Sequence, residues 1–270
     1  MTAALSHELT LTDDQFRVAA SCVGLHDLPA VLASRSRHTT IDRREAAIDT
    51  AVRELVGRNL IVAGDLHPEL VPVLEALQRP DRELAMRLVT PDGTAGVSVA
   101  RRGTLCVLAR RIADDILLRI IGRGVELREV STALLAELPR AKPAEVQPVG
   151  APLLDMVESL SGTHDPVQLA DRIRFLGAES YAANLLGSAL ASRRAFAEIV
   201  YYALAGSDDR ISRGPAAVAV FYTRRGRIIS APSASPTGQL WSTLKAGSDQ
   251  AVGQAIAQLV NLAEEKWGEL

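Results

Sequence analysis

The sequence predicts an α+β fold made of two duplicated halves related by a pseudo-two-fold, with a central antiparallel β-sheet flanked by helical bundles. Three observations predict it. The turn Arg-Arg-Gly recurs at 101–103 and 224–226, 123 positions apart, each time between apolar alternations. Around each copy, strand-like segments follow one another through short turns, which implies an antiparallel meander. Helical periodicity is confined to the segments before and after these meanders, so strands do not alternate with helices as a parallel α/β fold requires.

The elements follow in order. HELTL alternates and predicts a short strand. Leu11-Thr12-Asp13-Asp14-Gln15-Phe16 then opens a helix: Thr12 caps it, Gln15 returns the bond, and Leu11 and Phe16 sit at staple positions. A second helix is expected over about 41–56, with apolar or alanine positions at 41, 48, 52, 55 and 56. Pro68 opens a third, with Leu70, Val73, Leu74 and Leu77 on one stripe, ending near Pro80. From Arg82 the period changes to two, and PDGTAG, the first Arg-Arg-Gly and Asp114-Asp115 supply the turns of a four-strand meander. VSTALLAELP closes this half as a short helix. PRAKPAEVQPVGAP, residues 139–152, holds four prolines and reads as a linker. The halves are therefore 1–138 and 153–270; one compact domain is the expectation, and a 14-residue linker equally permits two separate α+β domains.

In the second half, Asp165-Pro166 is a cap followed by a first-turn proline, ahead of Val167, Leu169, Ile173 and Leu176. A further helix spans about 178–190. FAEIVYYAL is strand-like by its β-branched and aromatic content. GSDDRISRG is expected as a polar loop, and AAVAVFYT, RIISAPS and QLWSTL as strands. From Ser248, the positions Val252, Ile256, Leu259 and Ala263 form an amphipathic closing helix.

Composition narrows function. Hydrophobic residues make up 47% and charged residues 23%, a globular balance with a formal net charge of −2. Without a long basic run, phosphate-driven nucleic-acid binding is disfavoured. No signal-like start and no apolar run long enough to span a membrane occur, so the expected location is the cytoplasm. Cys22 and Cys106 stand far apart and predict neither a disulfide nor a zinc site. Of ten aromatics only Phe16 precedes residue 150, and the other nine read mostly as core of the second half.

No phosphate loop, dinucleotide fingerprint, nucleophile elbow or HExxH is present. The five histidines, at 7, 26, 38, 67 and 164, read as surface residues without ligand-like pairing. The pairs Asp13-Asp14, Asp114-Asp115 and Asp208-Asp209 fall at helix starts or turns, where aspartate caps or bends the chain. Ser230, Ser233 and Ser235 in SAPSASP have no histidine after residue 164 to serve as base. The expectation is no catalysis, no cofactor and no metal.

Several longer stretches, in their order along the chain, carry a resemblance. They are LTLTDDQFRVAASCVGLHDLPAVLA, RPDRELAMRLV, FAEIVYY, FYTRRGRIISAPS, QLWSTLKAGSDQAV and the closing SDQAVGQAIAQLVNLAEE. Together they resemble the EspG family, the ESX (type VII) secretion-associated proteins of actinobacteria. The resemblance implies a quasi-two-fold α+β fold and a cytosolic chaperone. Its implied partner is a PE–PPE heterodimer, held so that the apolar tip of the PPE helical hairpin is shielded before secretion. Nucleic acid and membrane insertion are not implied, and a homodimer is left open. By the same resemblance FAEIVYY and AVAVFYT carry the partner surface. Phe196, Glu198, Val200, Ala219, Phe221, Ser230 and Ser233 are the implied partner-binding residues, Glu198 and Ala219 standing at the family's contact positions. Period two sets Phe196, Glu198 and Val200 on one face, and the glutamate among apolar residues marks that face as the open one. The alternative reading is a non-catalytic structural or regulatory protein of the secretion cluster that self-associates through a sheet edge or an aromatic face.

Overall fold

The computed structural model describes residues 8–25, 29–33, 38–205 and 210–268. The chain runs β1 (Glu8–Thr12), α1 (Asp13–Cys22), α2 (Ile41–Gly57), β2 (Ile61–Val62), β3 (Asp65–Leu66) and α3 (Val71–Gln78). The first meander follows as β4 (Arg82–Thr90), β5 (Gly93–Arg102), β6 (Leu105–Ile112) and β7 (Asp115–Arg123), and α4 (Leu127–Ala136) closes it. Then come β8 (Val149–Pro152), α5 (Leu153–Leu160), α6 (Pro166–Phe175) and α7 (Ser180–Ala191). The second meander is β9 (Ala195–Ala205), β10 (Arg210–Thr223), β11 (Gly226–Ala234) and β12 (Leu240–Ala246), followed by α8 (Asp249–Leu262). Apart from the β2–β3 pair, the strands are ordered β1-β7-β6-β5-β4-β9-β10-β11-β12-β8 in an antiparallel sheet. Two compact units divide the chain: one holds the residues up to Ala85 with Ala95–Glu126, the other Met86–Thr94 with Leu127 onward. No helix among the described residues is long and apolar enough to cross a membrane.

The duplication is visible in the connectivity. In each copy a strand precedes the helices, a four-strand meander follows them, and the early strand returns to pair with the last strand of its meander. β1 pairs with β7, and β8 with β12. Both Arg-Arg-Gly turns place their glycine at positive φ, 56° at Gly103 and 117° at Gly226. One residue on, a carbonyl accepts the amide that ends the meander: Gly124 N to Thr104 O and Gly247 N to Arg227 O, each at 2.8 Å. The two donors are 123 positions apart, as are the two acceptors, the spacing of the turns themselves.

In the first unit the strand faces of β1, β6 and β7 close over Phe16, Leu55, Leu74 and Leu77 from the three helices. The capping box at Thr12 forms as expected. Burial alone would raise the Asp13 carboxyl, but bonds from Arg17 and Arg111 outweigh it and hold it below its ordinary value. α2 departs from expectation: Ala51 and Leu55 turn inward, while Ile41, Ile48, Val52 and Val56 face solvent. The β2–β3 hairpin was not expected. Its turn, Ala63-Gly64, has positive φ at both residues, the geometry a two-residue hairpin needs.

In the second unit the segment expected as a linker is instead tied into the sheet. Lys142 O accepts Arg227 N at 2.7 Å, Ala144 N donates to Arg227 O at 3.0 Å, and Val149–Pro152 adds the edge strand β8. Prolines are tolerated there because an edge strand needs only half its ladder bonds. Gly226 permits this: a Cβ on it would lie 2.7 Å from Lys142 O. The Arg227 side chain, fully buried, donates to Gly247 O and Asp249, joining β11, β12 and the start of α8. RISRG is also not loop. Arg210–Arg213 pair with Tyr202–Ala205, and the register shift before Ala217 is where Pro215 sits, the place a strand admits proline. Residues 206–209, with Asp208-Asp209, lie outside the described residues, as do His7 and His26. Of the second-half aromatics, Tyr201, Phe221, Tyr222 and Trp267 are core, whereas Phe175 is 93% and Tyr181 73% exposed.

Two groups in the first unit test the burial directly. Cys106 is sealed in β6, and burial pushes its thiol up to about 12. Glu83 of β4 is buried with one bond, from Ser98 Oγ at 2.6 Å, and burial pushes its carboxyl up to about 7 from 4.5. The folded state therefore keeps a proton that the unfolded chain releases above 4.5, so stability falls as pH rises from about 4.5 to about 7 and then levels. Glu83→Gln removes this dependence. Chemical denaturation is expected to show the wild type losing up to about 3 kcal/mol more than the variant between about pH 4.5 and pH 8. Parallel pH profiles would contradict a desolvated carboxyl.

Candidate functional site

The second unit presents an open apolar groove, built from how β9 divides its side chains. Alternate residues Ala197, Ile199, Tyr201 and Ala203 are buried. They lie on the sheet face that α8 covers with Val252, Ile256 and Leu259, and the Tyr201 hydroxyl donates to Glu265 O at 3.1 Å. Phe196, Glu198 and Val200 are only partly buried, as period two requires of the opposite face. Cross-strand pairing extends that face over β10 and β11. Phe221 stands opposite Phe196, Ala219 opposite Glu198, and Ser230 opposite Ala219. Phe196 and Phe221 pack with ring centroids 5.3 Å apart at 46°.

Helix α5 forms the other wall. Leu153, Leu154, Met156, Val157 and Leu160 line it, enclosing with the sheet face a groove of about 690 Å³. Only Met156 of α5 is buried; Leu154 is 80% and Val157 55% exposed. Such apolar side chains, rimmed by polar ones, are the composition of a protein-binding surface rather than of a monomer's outer face. The polar groups are few. Glu198 Oε1 accepts from Arg213 Nη2 at 3.1 Å across the mouth, with both side chains about half exposed. The pair adds little stability, being open to solvent screening. Arg193, also lining the groove, is half-buried, and the loss of hydration draws its pKa below the ordinary value. Ser230 Oγ is engaged with Ser242 Oγ, so its hydroxyl is committed to the sheet.

Five of the seven residues singled out from sequence therefore meet: Phe196, Glu198, Ala219, Phe221 and Ser230 all line the groove. Val200 lies on the same face one step along, opposite Ala217, which does line it. Ser233 does not join them. It pairs with Trp241, and alternation from Ser230 sets it on the other face of β11. Sequence reasoning missed the α5 wall and Arg193. The signal was present in LLDMVESL, whose apolar positions follow helical spacing beside the stretch taken as linker. Among the described residues no group of three or more His, Cys, Asp or Glu side chains is placed to hold a metal ion.

The family model named EspG family matches residues 12–258. ESX-1 secretion-associated protein EspG1 of Mycobacterium tuberculosis is 27% identical over 266 residues, spanning 93% of this chain and 86% of that protein. ESX-3 secretion-associated protein EspG3 of Mycolicibacterium smegmatis is 27% identical over 262 residues, spanning 95% and 88%. Among solved structures, the Mycobacterium tuberculosis type VII secretion system chaperone EspG5, in complex with a PE25–PPE41 dimer, shares the fold. Its TM-score is 0.79 at 17% identity, over 97% of this chain and 99% of that one.

The two walls of the groove should respond differently to truncation. Phe221 belongs to the buried cluster of the second unit, so Phe221→Ala is expected to cost about 3 kcal/mol of unfolding free energy. Leu154→Ser, on the exposed wall, should stay within about 0.5 kcal/mol. Denaturant titration of both variants checks this; an equal loss would mean that α5 is core and not an open wall.

Proposed function

The chain belongs to the EspG family, and from that premise we propose that it is a cytoplasmic chaperone of type VII secretion that holds a PE–PPE heterodimer. The groove between α5 and the β9–β10–β11 face takes the apolar tip of the PPE helical hairpin. The observation that carries this reading is the juxtaposition of exposed Leu154 and Val157 with Phe196, Ala219 and Phe221, an apolar cleft a folded chain leaves open. A helix end laid into such a cleft is held by side-chain insertion, with the polar rim setting which helix is accepted. Glu198 and Ala219 are the selecting positions. The first offers a carboxylate already oriented by Arg213; the second, opposite it in register, leaves room above the sheet. Binding and shielding need no bond to be made or broken, so this role has no catalytic step.

Self-association through a sheet edge is the weaker reading. The edge strand β8 is four residues long and ends in Pro152, and on β1 the Thr10 carbonyl is taken by Arg58 at 3.0 Å. Short, proline-ended and side-chain-capped edges are those that resist pairing.

Pull-down of PE–PPE heterodimers by the wild type, Glu198→Arg and Ala219→Tyr tests the proposal. Both variants should keep the wild-type melting temperature. Glu198→Arg sets a second guanidinium against Arg213, and Ala219→Tyr fills the cleft; each is expected to weaken retention by about tenfold or more. Full retention by both would remove this face from the function.

A further inference from the structure

The groove lining carries three ionisable side chains, Arg193, Glu198 and Arg213. Glu198 and Arg213 satisfy each other at 3.1 Å. Arg193 is outside that pair: its Nη2 lies 3.4 Å from the Nε2 of His164, and it forms no ion pair among the described residues. Its backbone is held on both sides. Arg193 N donates to Leu190 O at 3.2 Å, and Arg194 N to Tyr222 O at 2.7 Å, fixing where β9 begins. The guanidinium is thus partly stripped of water, shares the groove lining with Leu160, Gly162 and Phe196, and is opposed by an imidazole that brings no negative charge. Two cations and one carboxylate leave the lining with an excess positive charge, and the charge of the carboxylate is already balanced by Arg213.

We infer that Arg193 is a specificity-determining residue of this groove, which pairs with a carboxylate that the client carries beside its apolar hairpin tip. The inference rests on the client reading above and adds the chemistry by which clients are told apart. A desolvated guanidinium without a counter-charge favours an incoming anion over any neutral group, because the charge-assisted bond restores what burial removed. Its planar fork also matches a carboxylate in two parallel bonds, which a lysine cannot reproduce. A client tip lacking the acid would bury the cation unpaired, so the same residue that favours one partner disfavours others.

The test measures binding of a panel of purified PE–PPE heterodimers, PE25–PPE41 among them, to the wild type, Arg193→Gln and Arg193→Lys over a range of sodium chloride. For a heterodimer the wild type retains, Arg193→Gln should weaken binding about 10- to 100-fold and flatten the salt dependence, with Arg193→Lys only partly restoring it. Each acidic residue at that client's tip is then replaced by its amide, leaving the chaperone intact. One replacement should cost as much as Arg193→Gln in the wild-type background and nothing further against the variant. Unchanged affinity and salt slope in Arg193→Gln, or no acidic position showing this dependence, overturns the inference while the client reading stands. If the wild type retains no heterodimer of the panel, the client reading fails and takes the inference with it.

Discussion

The pleat of strand β9 is the constraint from which the rest of the site follows. Ala197, Ile199, Tyr201 and Ala203 are held on the sheet face beneath α8, and the Tyr201 hydroxyl reaches past the end of that helix to Glu265 O. With those four fixed, Phe196, Glu198 and Val200 have only the opposite face available. A slip of one residue would exchange the two sets and bury a glutamate under a helix, so the register is strongly specified. The ladder with β10 transmits it: Ala219 and Phe221 arrive opposite Glu198 and Phe196 because the strands are locked in phase between the bulge at Pro215 and the Arg-Arg-Gly turn.

The duplicated plan explains what surrounds this strand. Both copies end their meander with the same amide-to-carbonyl bond, but the acceptor residue is Thr104 in one and Arg227 in the other. The arginine has room to do more. Its side chain binds Gly247 and Asp249 at the start of α8, and its backbone binds both Lys142 and Ala144. The proline-rich segment is thereby fastened to the second meander and delivers β8, and α5 immediately after it, alongside β12. α6 and α7 then pack so closely that a Cβ at Gly187 would lie 2.7 Å from Pro166 O. α5 is left with Met156 as its one buried residue, a wall rather than a core helix.

Much of this was legible in the sequence, for identifiable reasons. The caps at Thr12 and Asp165 are local chemistry, and each accepts its expected backbone amide. The two meanders declared themselves because one face of each strand must be apolar. Structure without that demand leaves no such trace in the sequence. Arg210–Arg213 are exposed along their whole length, so a ladder continues there with no hydrophobic alternation to reveal it. β8 has only two inward residues, Val149 and Ala151, between prolines that in isolation signal a linker. The exposed stripe on α2 misled in the other direction, since helical periodicity does not say that a face is covered. At the site, alternation correctly grouped Phe196, Glu198 and Val200, and the same rule places Ser233 away from Ser230. α5 and Arg193 needed the third dimension.

Hydrogen exchange of the chain, alone and with a bound PE–PPE heterodimer, tests the central claim most directly. An eight-residue helix with one buried side chain should exchange quickly when the chain is alone. With client in the groove, amides of α5, residues 153–160, are expected to become the most newly protected, together with the partly buried start of β9, while α2 is unchanged. Protection that appears on α2 or along β1 and leaves α5 exchanging freely would show that the client is held elsewhere.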